Sequence, residues 1–167
     1  ASRAAHLALD RPELQHAVSE ALDELGRVSD IVNKLLFLAR ADEGRLQALS
    51  KPVDLPELCR QVISAIEIVA DARGMKVVLR ERAIVIQGDP GLLRQAVHNL
   101  LDNAVKYGRE NGTIEVEVFN DGVEVRDDGE GVAPEHLPRL FDRFFRADAA
   151  RSDQVPGLGL GLSIVKS

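Results

Sequence analysis

Apolar residues recur at three- and four-residue steps through the first quarter of the chain. Leu22, Leu25, Val28, Val32, Leu35 and Ala39 fall on one helical face, and between residues 12 and 48 only Gly26 and Gly44 interrupt helix-forming residues. The spacing predicts an amphipathic helix with an a/d seam of the kind found in coiled coils and bundles. Residues 2–9 read as the tail of another helix, with Asp10, Arg11 and Pro12 as a turn. The segment is therefore expected to be a helical hairpin whose first arm is mostly missing. This pattern alone indicates a bundle and no particular function.

The texture changes after Ser50, Lys51 and Pro52. A helix is expected over 56–72, with Asp54 as N-cap and Pro56 in the first turn. Segments 76–80 and 83–87 are rich in Val and Ile and read as strands. Asp89 and Pro90 open another helix that runs to about Tyr107. Residues 113–119 alternate, with Ile114, Val116 and Val118 on one face and Glu115 and Glu117 on the other. Asn120, Asp121 and Gly122 form a hairpin signal, since Asn and Gly tolerate positive φ, and 123–126 returns as the partner strand. From Gly157 a glycine-punctuated segment enters a final helix. The expected fold class is α+β. A helical hairpin remnant over 1–50 precedes an α/β sandwich over 51–167, with helices on one face of a mixed sheet.

Composition narrows the function classes. The 167 residues suffice for one domain with a helical appendage, and 45% hydrophobic with 29% charged residues is ordinary for a globular protein. A net charge of -6 argues against a general nucleic-acid surface, which needs clustered Lys and Arg. The single cysteine, Cys59, cannot form an internal disulfide, fits a reducing compartment, and reads as a packing residue. No apolar run is long enough to span a bilayer and no signal peptide is visible. The chain starts with Ala rather than Met, so a membrane anchor could belong to a longer parent.

Four short segments carry candidate chemistry. In the helix after Pro90, Asn99 and Asn103 lie four apart on one face, and Lys106 follows on nearly the same face. Two amide oxygens so spaced can complete the shell of a Mg2+ held otherwise by phosphates and water, and the lysine could meet phosphate. Two polar residues facing solvent would give the same pattern. Asp127, Gly129 and Gly131 form an Asp-x-Gly-x-Gly turn after a strand, where a carboxylate could accept a hydrogen bond from the exocyclic amine of adenine. Alone, it is more often just a turn. Residues 140–146 contain three of the five phenylalanines, Phe141, Phe144 and Phe145, consistent with a short amphipathic helix that packs a loop on the core. Gly157, Gly159 and Gly161 precede the last helix, whose N–H groups could meet phosphate. The segment is neither a P-loop nor a dinucleotide fingerprint, since no Gly-Lys-Ser/Thr and no GxGxxG is present.

In order and spacing, these segments resemble the N box, the two glycine boxes and the F box of sensor histidine kinases of two-component systems. The resemblance spans essentially the whole chain, because Leu36 to Asp42 looks like the end of the family's second dimerisation helix. Within the family the likeness is to the heavy-metal-sensor type. The resemblance implies the ATP-binding fold shared with gyrase-type and mismatch-repair ATPases. It implies ATP and Mg2+, with Asn99 and Asn103 as metal ligands. The implied ATP-binding set is Asn99, Asn103, Lys106, Tyr107, Asp127, Gly129, Gly131, Gly157, Gly159, Gly161 and Leu162. Asn99, Lys106 and Arg146 are the implied catalytic residues, and Arg143 and Arg146 would reach the γ-phosphate from the base of a lid over 147–156. The implied partners are a second copy through the helical segment and a response regulator receiver domain. Membrane contact would come only through segments outside this chain, and the location would be cytoplasmic.

Three features qualify the resemblance. Hydrolytic relatives carry a Glu four residues before the metal-binding asparagine, where this chain has Asn99. An amide cannot take a proton from water at neutral pH, so hydrolysis is disfavoured. The family's acceptor is a His followed by Asp or Glu, with a Pro a few residues on. His6, His16, His98 and His136 are followed by Leu, Ala, Asn and Leu, so no phosphoacceptor is expected in this chain. Family domains also continue with the rest of a helix and two strands, so the sheet is expected to be truncated at the C-terminus and the isolated chain inactive. The alternative is a non-catalytic nucleotide-binding or dimerisation module, a degenerate kinase.

Overall fold

The computed structural model describes residues 11–42, 49–120, 122–147 and 158–166. The first element is the long helix α1 (Arg11–Asp42). Residues 2–9, expected to supply the tail of the first arm, lie outside the described residues, as do Asp10 and 43–48, while Arg11 and Pro12, expected in a turn, instead form the first turn of α1, where a proline's missing N–H costs nothing. The seam of α1 is exposed from Leu14 and Val18 through Leu22, Leu25, Val28, Val32 and Leu35. Near its end the helix finds cover, where buried Leu38 packs with Leu160 and Ile164. Among the described residues no helix is long and apolar enough to cross a membrane.

The remaining described residues form a sandwich. Strand β1 (Lys51–Asp54) leads into helix α2 (Leu55–Ala72). Asp54 caps α2 by accepting a hydrogen bond from the Glu57 amide at 2.9 Å, as its position before Pro56 anticipated. Strands β2 (Lys76–Arg80) and β3 (Val85–Gly88) follow. Helix α3 (Pro90–Tyr107) is capped by Asp89, whose carboxylate accepts from the amides of Gly91 and Leu92. Strands β4 (Thr113–Phe119) and β5 (Gly122–Asp127) form a hairpin. A single 3-10 turn covers Leu137–Arg139, and α4 (Gly161–Lys166) closes the order.

The core lies between one face of the β2–β4–β5 sheet and the pair α2 and α3. That sheet is mixed: β2 runs parallel to β4, and β5 antiparallel to it. Ile114, Val116 and Val118 are fully buried, and register sets Val77 and Leu79 on one side and Val125 and Val123 on the other, along the same face. A one-residue slip would turn the glutamates Glu115 and Glu117 into the core, so the alternation pins the register. From α2, Leu58, Cys59, Val62, Ile66 and Ala70 meet the sheet; from α3, Val97, Leu101, Ala104 and Val105 do. Burial pushes the Cys59 thiol up to about 11.

Four expectations are corrected. Strand β1 was not expected, because a lysine, a proline and an aspartate surround its one buried residue, Val53. It pairs antiparallel with β3 as a separate two-stranded ribbon, so β3 leaves the main sheet and starts at Val85 rather than 83. Gly122 is the first residue of β5, paired with Phe119, and not a positive-φ turn residue. Its missing side chain makes room for the Phe119 ring, 3.2 Å from where a Cβ would stand. Finally, the phenylalanine-rich segment is a run of turns rather than an amphipathic helix, with Phe141 and Phe144 exposed. Phe144 takes a positive φ of 61°, which a helix cannot accommodate.

Candidate functional site

Helix α3 supplies the first wall. Its apolar positions at 97, 101, 104 and 105 face the core, which turns Asn99 toward α4. Asn99 is only 3% exposed, and its Nδ2 has no hydrogen-bond partner among the described residues. Its amide faces the start of α4, with Oδ1 3.7 Å from where a Gly161 Cβ would lie. A buried amide with an unpartnered polar atom is expensive, about 1–3 kcal/mol. It is out of place as packing and fits a group that awaits a polar partner.

One turn on, Asn103 is half-buried on the same side. Lys106 does not reach past it. The ammonium instead pairs with Asp102 at 2.6 Å, a partner one helical turn back. The sequence reading missed Asp102 as a functional neighbour, although its four-residue spacing from Lys106 was the available signal. Tyr107 ends the helix with its side chain exposed.

The second wall is the turn after β5. Asp127 accepts a hydrogen bond from the Gly129 amide at 2.9 Å, an Asx-type turn that points the carboxylate along the loop. Gly129 presses on the end of α3: a Cβ there would run into the Tyr107 carbonyl oxygen and lie 2.7 Å from Asp127 Oδ1. Gly131 takes a positive φ of 74° in open space. Asp128, also missed as a site-shaping group, accepts from the Thr113 amide at 3.1 Å and ties the turn to the start of β4.

The third wall is the glycine segment. Gly159 has a φ of 69°, and a Cβ on it would stand 2.5 Å from the Phe145 carbonyl oxygen. The Phe144 amide donates to the Gly159 carbonyl at 3.0 Å, so the phenylalanine-rich turns are bonded to the glycine segment. Leu160 is buried, Leu162 half-buried, and the Ser163 hydroxyl donates to the Leu160 carbonyl at 2.8 Å. The Arg139 guanidinium lies over the Phe145 ring, 4.6 Å from its centroid, and His136 tilts against the same ring. Arg146 is half-buried and Arg143 exposed. Gly157 and lid residues 148–156 lie outside the described residues.

The fold thus links the four segments. Asn99 faces Gly161, and the Asp127 turn packs on Tyr107, while the phenylalanine-rich turns are bonded to Gly159. Among the glycines of the two glycine-rich segments, Gly129 and Gly159 occupy places where a Cβ would meet backbone.

Residues 88–167 match the family of histidine kinase-, DNA gyrase B- and HSP90-like ATPases. The chain is 39% identical over 159 residues to the sensor histidine kinase CusS of Escherichia coli (strain K12), covering 93% of this chain and 33% of that protein. It therefore spans about a third of the length of the curated relatives it matches. The structure of the mycobacterial sensor histidine kinase MprB is similar with a TM-score of 0.59 and 31% identity, over 71% of this chain and 76% of that one. Full-length ShkA in complex with AMPPNP is similar with a TM-score of 0.75 and 32% identity, over 91% of this chain and 33% of that one. The chain belongs to the sensor histidine kinases, and residues 88–167 lie in the family's ATPase domain.

Proposed function

We propose that residues 51–167 bind Mg-ATP, and that the parent protein transfers the γ-phosphate to a histidine of its dimerisation domain for relay to a response regulator aspartate. The observation that carries this is the convergence of Asn99 on Gly161 and of Gly129 on Tyr107, with Asp127 alongside. In this reading Asp127 selects adenine, and Gly129 and Gly131 let the base approach. Tyr107 lines the nucleoside, while Gly157, Gly159, Gly161 and Leu162 line the phosphates. Lys106 leaves Asp102 for phosphate, and Arg146 meets the γ-phosphate from the lid base. Asn99 and Asn103 would hold Mg2+. The buried Nδ2 of Asn99, without a hydrogen-bond partner among the described residues, supports a polar ligand there, and the amide can turn its oxygen toward a cation. When bound, the ion would neutralise phosphate charge.

Phosphoryl transfer is mainly positioning and charge stabilisation, so the acceptor and its base can sit on another domain. Asn99 in place of a glutamate keeps water from being activated meanwhile. The exposed seam of α1, within a dimerisation segment over 1–50, would pair with a second copy. The parent would act in the cytoplasm, with any membrane anchor outside this chain.

Calorimetric titration tests the site. Losing a charge-assisted hydrogen bond to adenine costs roughly 1.5–3 kcal/mol. Asp127→Ala is thus expected to weaken ATP binding about tenfold or more. Equal affinity in wild type and variant would refute the assignment.

A further inference from the structure

We propose that Arg73, a residue that touches neither adenine nor phosphate in the reading above, is a positioning residue for adenine recognition. The inference rests on that reading of Asp127. Arg73 is the C-cap of helix α2, and Gly74 turns the chain away with a φ of 66°. The Arg73 side chain then reaches across to the end of α3. Its guanidinium donates to the Val105 carbonyl and, at 3.3 Å, to the Gly108 carbonyl. Its own carbonyl accepts from the Asn111 amide at 3.1 Å. One residue therefore clasps both the last turn of α3 and the loop that follows.

The last carbonyls of a helix have no partner within it, and a cation there also complements the helix dipole. Without the guanidinium, the Val105 and Gly108 carbonyls lose their donor, and the turn bearing Lys106 and Tyr107 is free to fray. That turn is one side of the adenine site. Gly129 packs directly on the Tyr107 carbonyl, and a Cβ on Gly108 would lie 3.6 Å from the Asp127 Cβ. Any displacement of the 105–108 corner is passed to Asp127 through backbone contact, with no flexible side chain to absorb it. Arg73 thus fixes the distance between the carboxylate that reads the base and the helix end that lines it.

The test compares ATP with inosine triphosphate, which lacks the exocyclic amine. Titrations are made on wild type, Asp127→Ala, Arg73→Ala and Arg73→Lys, at a temperature where melting curves show each fully folded. A merely structural loss weakens both nucleotides by one factor and leaves their ratio alone. Mispositioning of Asp127 narrows the ratio. Arg73→Ala is expected to reduce the preference for ATP by about threefold or more, and Arg73→Lys, which keeps a charged donor, to recover part of it. If too little of the alanine variant folds, Arg73→Gln, which loses the fork but keeps an amide donor, is read in the same way. A folded Arg73 variant, alanine or glutamine, with the wild-type ratio overturns the inference. Absence of any preference in wild type, or its persistence in Asp127→Ala, overturns instead the site reading beneath it.

Discussion

Replacing Asn99 with leucine separates what the site does for stability from what it does for binding. Asn99 is 3% exposed and its Nδ2 has no partner among the described residues, so the nucleotide-free fold carries the desolvation cost of an unmet buried donor, about 1–3 kcal/mol. Leucine has nearly the same shape and no polar atom. It borders Gly161, where even an added Cβ would stay 3.7 Å from the Asn99 amide, so overpacking is small. Asn99→Leu is therefore expected to stabilise the nucleotide-free protein. At roughly 2–4 °C of Tm per kcal/mol for a chain of this length, the rise is at least about 2 °C. With Mg-ATP the order changes. A ligand at a hundred times its Kd stabilises the native state by about 2.7 kcal/mol, and the variant, lacking an amide for Mg2+, is expected to lose most of that gain. Thermal melts of both proteins with and without Mg-ATP should show the gap closing or reversing as nucleotide is added. A nucleotide-free variant that melts below wild type would mean that the amide is satisfied and structural. An unchanged shift with Mg-ATP would mean that Asn99 does not serve the metal.

Other perturbations reach the rest of the scaffold. The amides of Leu49, Leu92 and Gly91 hold the Asp89 carboxyl below the usual carboxylate range, the Leu49 bond contributing most. A depressed folded pKa gives stability that is present above the unfolded value, near 3.9, and is lost as pH falls through the folded one. Asp89→Ala should lower Tm at pH 7, and the difference from wild type should shrink in melts taken toward pH 3; a constant difference would contradict this. Gly159→Ala combines a left-handed φ of 69° with a Cβ 2.5 Å from the Phe145 carbonyl oxygen. Roughly 1 kcal/mol from backbone strain plus 1–3 from overpacking should push the glycine segment off the Phe144 turn and weaken ATP binding at least tenfold by titration. On α1, Leu22→Glu with Leu25→Glu places charge on an exposed seam and should abolish any concentration-dependent rise in light-scattering mass while leaving ATP affinity unchanged.

Much of the scaffold was legible in the residues alone, for local reasons. Asp54 and Asp89 precede prolines and cap α2 and α3 as their chemistry requires, and α3 ends at Tyr107 before Gly108. The alternation of Ile114, Val116 and Val118 with glutamates placed β4 and its inner face, because a period of two leaves one way to bury the apolar set. The order of the Asn99, Asp127 and Gly159 segments pointed to the family to which the chain belongs. What escaped depends on partners distant in sequence. Strand β1 carries no β signal of its own and exists through pairing with β3, more than thirty residues on. The phenylalanine-rich run has the composition of an amphipathic helix, yet its Phe144 amide bonds to Gly159 and its backbone turns to make that bond. The Lys106–Asp102 pair is the exception, a local i,i+4 contact that the spacing itself could have shown. Nothing around Arg73 marks it as more than a surface cation; its meaning comes from α3 ending within reach of its guanidinium. Helix and strand periods are written in neighbouring residues, whereas the pairing of orphaned carbonyls and buried amides is settled only when separate elements meet.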